Sequence, residues 1–332
     1  MQFFEYLCGM SGFKIFCTYL ILGWGVFFTS CSVEMAKPEK KQTLVIASDF
    51  LHEEDTLIFK QFVQKHKIRV VIRHLSPEDL IAKLKDARFN SGIDVVLAQN
   101  AYTALRLNNL GLLYDFEKTP ESSTNTNRYI SYKHNFVGIG LDPFVFNYPV
   151  DSIRTATRYH DLRTQPSYHL LSNWDMLSFF SPIRKETNQS KTYEWMKDWK
   201  SHTALRPEKG PWADSVRVNL CKYSQLTKVQ DSTWLSYSKE IAFPESRGMG
   251  THYELVVLSI VDQAEHFDAA TKFIAFCENP GYNELINKKI HRFPIYDFLE
   301  LRKSAPRFYP VPIDKLVQND EMILRMMKKL PD

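Results

Sequence analysis

The segment from Thr43 to Phe116 limits the fold more than any other part of the chain. TLVIAS (43–48) has the short apolar character of a buried strand, and EEDTLIFKQFVQKHK (53–67) has the spacing of an amphipathic helix. IRVVIRHL (68–75) is a second strand, SPEDLIAKLKDAR (76–88) a second helix and DVVLAQ (94–99) a third strand. Strands that alternate with helical patterns of this length form parallel sheets with helices on their faces. Ligands bind such sheets beyond the carboxyl ends of the strands, where this chain places Ser48, Asp49 and His52.

Helix boundaries are well marked here. Ser76-Pro77-Glu78-Asp79 supplies an N-cap, a first-turn proline and an acid three residues on. NAYTALRLNN (100–109) is helical and stops at Gly111, a residue suited to a left-handed C′ position. Beyond a polar loop at 119–128, FVGIGLDPFVFNY (136–148) reads as strand broken by glycines and Asp-Pro. WDMLSFFS (174–181) and KTYEWMKDW (191–199) read as helices, VRVNLCKYS (216–224) as strand and turn, and KEIAFPE (239–245) as extended chain. SRGMGTHYELVVLSIV (246–261) gives a glycine loop and a strand, and HFDAATKFIAFCEN (266–279) an amphipathic helix ending before Pro280. The helix near 266 suits the domain that starts at Thr43, so the middle of the chain reads as a second domain inserted into the first.

The N-terminus reads as a targeting segment. Lys14 precedes an uncharged run, IFCTYLILGWGVFFTSCSV (15–33), followed by a polar tether at 32–42. Thr29-Ser30-Cys31 resembles the end of a bacterial lipoprotein signal with Cys31 as the lipidated residue, although Phe28 stands where leucine is usual. An uncleaved signal-anchor helix is the alternative, the run being barely long enough to span a bilayer. Of the 5 cysteines, only Cys221 and Cys277 remain for the folded part, which gives no disulfide framework. A formal net charge of +4, with no basic stripe interleaved with aromatics, argues against a nucleic-acid partner. The lack of a G-x-S-x-G elbow or a metalloprotease motif argues against an exported hydrolase.

Three blocks resemble the extracellular solute-binding proteins of ABC importers, in particular the ferric-iron-binding group: LVIASDFLHEED (44–55), LIAKLKDARFNSGIDVVLAQNAYTALRLNNLGLLYDF (80–116) and FPESRGMGTHYELVVLSIVDQAEHFDAATKFIAFCENP (243–280). The resemblance implies an α/β fold of two lobes, each a mostly parallel sheet flanked by helices, joined by a hinge. Residues 43–138 and 243–332 would form lobe 1, and 139–242 lobe 2. It implies a non-enzymatic protein that closes over iron(III), with or without a synergistic anion, and docks on an ABC permease with its ATPase. A monomer, lipid-anchored on the periplasmic side of a bacterial membrane, is expected. A periplasmic sensor module for another anion or metal complex needs the same closing cleft and is the alternative.

The family's iron site combines a histidine, often a glutamate, and two adjacent tyrosines. His52 falls on the histidine position, and the glutamate position falls near Ala87, beside Asp86. In LCKYSQ (220–225), Ser224 and Gln225 fall on the tyrosine positions, Tyr223 just precedes them, and Lys222 replaces an asparagine that helps hold the anion. The implied metal ligands are therefore His52 and Tyr223, with Ser48, Asp49, Lys222, Ser224, Gln225, Gly250 and Thr251 as further ligand contacts. Each has a plainer reading as well. His52 and Asp49 can serve as helix caps, Tyr223 as a packed aromatic and Lys222 as a solvated surface residue. Gly248 and Gly250 suit a tight turn, and His134 and His252 read as structural. Lys222, if it contacts cargo, points to a ligand richer in negative charge.

Overall fold

The computed structural model describes residues 42–87, 90–116, 130–131, 135–149, 158–169, 171–205, 218–228, 238–245, 250–295, 308 and 320–330. Cys31, His134 and Gly248 lie outside these residues. Among the described residues no helix is long and apolar enough to cross a membrane.

The first lobe is built on β1 (Thr43–Ser48), β2 (Arg69–His74) and β3 (Val95–Ala98). β1 lies between the other two and runs parallel to both, with Thr43 opposite Arg69 and Ile46 opposite Val95. Leu44, Ile46, Val95 and Leu97 are almost wholly buried, as expected of strands covered on both faces. The expected helix after β1 divides into a 3-10 segment, Glu53–Phe59, and an α-helix, Lys60–His66. The Asp55 carboxylate accepts the His52 N–H at 2.8 Å, which tightens the first turn. Phe59 and Phe62, three residues apart, both meet Phe273 edge-on at 5.0 and 5.1 Å. The Ser76 cap forms as read, its Oγ accepting from Asp79 N at 3.1 Å. Asn100, read as helical, instead caps the helix Ala101–Asn109 through a bond from Thr103 N. Gly111 takes the left-handed φ of 66°.

β4 (Ile130–Ser131) is short, and β5 (Phe136–Pro149) runs unbroken for 14 residues where the sequence suggested interruptions. The remaining strands are β6 (Ser167–His169), β7 (Thr203–Leu205), β8 (Val218–Lys222), β9 (Ser238–Ala242), β10 (Tyr253–Ile260) and β11 (Phe293–Pro294). The strand order is β2-β1-β3-β10-β5-β8-β6-β7, in which β2-β1-β3-β10-β5 make one sheet and β5-β8-β6-β7 a second, continuous with it through β5. The first half of β5, through Pro143, pairs antiparallel with β10, and from Phe144 onward it pairs with β8 and β9. A proline has no N–H to lose from the ladder, so it fits where the strand exchanges partners. The register slips opposite Val256 and Val257, leaving Ile139 as the extra residue of a bulge.

In the second lobe β6 is parallel to both β7 and β8, while β8 is antiparallel to β5. Helices Asn173–Glu186 and Gln189–His202 cover it with an aromatic core that includes Phe179, Phe180, Trp195 and Trp199. Each lobe therefore keeps a parallel set of three strands and is completed by antiparallel partners. One feature departs from the sequence reading. The C-terminal helix Asp320–Met327, read with lobe 1, buries Ile323 and Met326 in the aromatic core of lobe 2. Their i, i+3 spacing gives the helix an apolar edge that only that core accepts here. The helix Pro280–Lys289 was missed because Pro280 looked like a stop; it is a first-turn proline, with Asn279 as its cap.

Candidate functional site

The carboxyl ends of β1, β3 and β8 meet the start of β10 in a polar seam between the two sheets. At the end of β1, Ser48 Oγ accepts from the N–H groups of Phe50 and Leu51 at 3.4 and 3.2 Å, which fixes the turn. Asp49 then reaches the end of β3, where its Oδ1 accepts from Gln99 N at 2.9 Å. Asp49 is thus not a cap for the following helix. Its Oδ2 is buried and has no hydrogen-bond partner among the described residues. Burial pushes its pKa up to about 6, against the pull of the Gln99 N–H, Lys222 and Arg292.

Lys222 is the last residue of β8 and is only 3% exposed. Its Nζ donates to Asp175 Oδ1 at 2.7 Å, Glu254 Oε2 at 3.0 Å and Gln99 Oε1 at 3.2 Å. All three N–H bonds of the ammonium are therefore directed at oxygens from three separate elements. Burial works against the charged form, yet Glu254, Asp175 and Asp142 raise the Lys222 pKa above its ordinary value. The lysine is neither the solvated surface residue of one reading nor a free receptor for an anion. Glu254, 1% exposed, has its pKa pushed up by burial and by Asp175 and Asp142, while Lys222 opposes the shift. Its Oε1 is buried without a hydrogen-bond partner among the described residues.

Asp142 of β5 faces the same seam. It accepts from Ser224 N at 3.0 Å and Ser224 Oγ at 2.5 Å, and pairs with Arg292 Nε at 3.4 Å. The Arg292 guanidinium also lies 4.2 Å over the Phe50 ring.

The residues picked from the sequence divide into two groups. Asp49, Lys222 and Ser224 belong to this seam. Gln225 lies beside it, its Oε1 accepting from Lys222 N at 2.8 Å. His52 is exposed, and its ring stacks on His74 at 4.1 Å. Tyr223 packs on Phe293 at 5.0 Å and Phe243 at 6.2 Å. His52 and Tyr223 thus have separate neighbours. Gly250 has φ 112°, a conformation that favours glycine, and Thr251 is buried with an unpartnered Oγ1. His252 is structural, as read: it stacks on Tyr159 at 4.4 Å and its Nδ1 lies 3.0 Å from Phe179 O. Cys221 and Cys277 are buried free thiols.

Five members of the seam escaped the sequence reading: Gln99, Asp142, Asp175, Glu254 and Arg292. Two carried a signal. Asp142 and Glu254 are single acids inside apolar strands, FVGIGLDPFVFNY and YELVVLSI, where a charge is retained only if it is paired. Among the described residues, no three His, Cys, Asp or Glu side chains already converge as a metal site. A cavity of about 350 Å³ lies on the lobe-2 side, walled by Arg158, Tyr159, Glu186, Trp195 and Glu245. Two buried oxygens of the seam, Asp49 Oδ2 and Glu254 Oε1, have no hydrogen-bond partner among the described residues, and the seam is the better candidate for that reason.

No family profile matches the chain. It is 20% identical over 292 residues to iron uptake protein A1 of Synechocystis sp., covering 82% of this chain and 81% of that relative. It matches the ferric binding protein from Campylobacter jejuni with a TM-score of 0.72 and 17% identity, covering 86% of this chain and 98% of that one. Trichodesmium FutA in complex with iron and citrate gives 0.71 and 16%, covering 86% and 98%. Iron-bound HitA from Pseudomonas aeruginosa gives 0.68 and 17%, covering 86% and 99%. The chain resembles the ferric-iron-binding solute-binding proteins in sequence and shares their two-lobed α/β fold over nearly all of its length after the N-terminal segment.

Proposed function

We propose that this protein is the substrate-binding component of an ABC importer. It captures iron(III), or an iron–anion complex, between its lobes and delivers it to a permease driven by an ATPase. It makes and breaks no covalent bond. One observation carries the reading. A fold shared with iron-bound proteins places a charged, incompletely satisfied seam at the carboxyl ends of its strands, where open α/β sheets bind ligands. β5 belongs to both sheets and supplies the crossing about which the lobes would open and close.

Around the seam, Ser48, Asp49, Ser224, Gln225, Gly250 and Thr251 are the proposed cargo contacts, while Lys222, expected from the sequence to contact cargo, is committed to Asp175, Glu254 and Gln99 in the cargo-free protein. His52 and Tyr223 would join as metal ligands when the lobes rearrange around the cargo. Residues 43–138 with 243–295 act as one moving body and 139–242 as the other. Cys31 carries the lipid, the tether at 32–42 holds the folded part on the periplasmic side of the membrane, and the protein works as a monomer.

The test is metal analysis of the purified protein together with calorimetric titration of ferric citrate, repeated on His52→Ala. Iron that copurifies, and heat of binding that falls in the variant, would agree. Failure to take up iron(III) in any form would remove the iron reading. Unchanged binding in His52→Ala would remove that residue from the site. Release of a Cys31→Ser form from the membrane would agree with lipidation, and retention would favour an uncleaved helix.

A further inference from the structure

The ammonium of Lys222 stands where oxygen donors from both lobes converge. Asp175 comes from the start of the helix Asn173–Glu186, Glu254 from β10 and Gln99 from the end of β3. Their oxygens lie 2.7, 3.0 and 3.2 Å from Nζ, and the Lys222 side chain is only 4% exposed. Three oxygens drawn around a buried positive charge form a cation site whose occupant is part of the chain.

The site is also incomplete. Glu254 Oε1 is buried with no hydrogen-bond partner among the described residues. If Glu254 is ionised, that oxygen lacks a donor; if it is protonated, the same carboxyl lacks an acceptor. Asp49 Oδ2, close enough for its charge to interact with that of Lys222, is unpartnered as well. The charge balance points the same way. Asp49, Asp142, Asp175 and Glu254 face two cations, Lys222 and Arg292. Hard cations take carboxylate and amide oxygens at about 2.0–2.6 Å. The donors therefore need to close in by about 0.1–1.2 Å.

We infer that Lys222 is the resident stand-in for the cargo, and that an oxygen-seeking metal ion takes its place among Asp175, Glu254 and Gln99. The donor set is then carboxylate and carboxamide, where the resembling proteins use phenolates. Lysine suits the part because its ammonium is a compact point charge on a flexible stem, able to leave the seam as the metal enters. The inference rests on the seam being the cargo site. It reverses the sign of the simpler expectation for Lys222: the residue competes with the cargo cation and does not receive the cargo anion.

The experiment uses the full chain and two variants, Lys222→Met and Glu254→Gln, with folding checked by circular dichroism. Each is titrated with iron(III) supplied as its nitrilotriacetate complex and, separately, with citrate alone. Bound metal is counted after desalting. Lys222→Met is expected to bind iron about tenfold more tightly or better, because the competitor is gone, and Glu254→Gln at least about tenfold more weakly. Neither variant should gain affinity for citrate alone. Equal or lost iron binding in Lys222→Met overturns the inference; where the wild type still binds iron, the importer reading survives. Iron binding by neither form overturns both. If Lys222→Met does not fold, Glu254→Gln decides, and unchanged iron affinity in it overturns the inference.

Discussion

Asn287 lies against Gly140 so closely that its carboxamide fills the space a Cβ on Gly140 would need. The approach has a purpose. The Nδ2 groups of Asn283 and Asn287 both donate to Ile139 O, at 2.8 and 2.7 Å. That carbonyl belongs to the bulge in β5, so the helix Pro280–Lys289 is clamped to the strand shared by both lobes. Gly140→Ala is expected to lower stability by about 1–3 kcal/mol, the usual range for overpacking a fitted site. Thermal unfolding measures it, and an unchanged midpoint would show that the helix can shift away at no cost.

Ser224 gives Asp142 two hydrogen bonds, one from its backbone and one from its hydroxyl. Both residues are buried. Ser224→Ala keeps the first bond and deletes the second. Loss of a hydrogen bond to a buried carboxylate is expected to cost about 1.5–3 kcal/mol in urea unfolding. A loss below about 0.5 kcal/mol would mean that water or Arg292 takes over.

Trp174 ties the lobes together at their rim. Its Nε1–H donates to Glu78 Oε1 at 2.7 Å, and its ring meets Tyr102 at 5.2 Å and lies 5.5 Å from the Arg106 guanidinium. The bond is exposed to solvent, so Trp174→Phe should change global stability by less than about 1 kcal/mol. It should nevertheless enlarge the radius of gyration of the cargo-free protein in small-angle X-ray scattering, because one restraint on opening is gone. An identical scattering curve would remove Trp174 from any role in closure.

Acid is expected to destabilise the fold through its buried histidines. Burial lowers the pKa of His252 to about 3 and of His169 to about 4, from an ordinary 6.5. Below 6.5 the unfolded chain takes up protons that the native state refuses, so stability falls with falling pH. Asp49 acts in the opposite sense. Its pKa is raised from 3.8 to about 6, so the native state holds the extra proton across that window. Burial raises the pKa values of Glu254 and Glu278 as well, so these acids join Asp49 in opposing the histidines, and each histidine by itself contributes about 1.4 kcal/mol per pH unit between pH 6 and its folded pKa. Relative to the unmutated protein, His252→Gln should shift the pH slope of stability by about 1.4 kcal/mol per pH unit between pH 6 and 4, in the direction of greater acid resistance, in urea unfolding at stepped pH; an unaltered slope would mean that His252 is protonated in the fold.

Much of lobe 1 was legible because its signals are local. Strand β1 and the helix around Leu80, Ile81 and Leu84 show their periodicities within a dozen residues, and Ser76 and Gly111 mark helix ends by chemistry that acts over three or four positions. Lobe 2 was harder to read. β6 and β7 have 3 residues each, too few for a period, and they exist as strands because β6 pairs with β8 and β7 pairs with β6. The C-terminal helix could not be placed because its apolar edge does not say which core will bury it.

The sequence alone determined the alternation of strands and helices, the strand edge that carries Ser48 and Asp49, and the resemblance to two-lobed binding proteins. Only the tertiary structure decided what Lys222 does. Its partners Gln99, Asp175 and Glu254 lie 123, 47 and 32 positions away along the chain. A buried charge takes its character from the oxygens that surround it, and no pattern of near neighbours can carry that information.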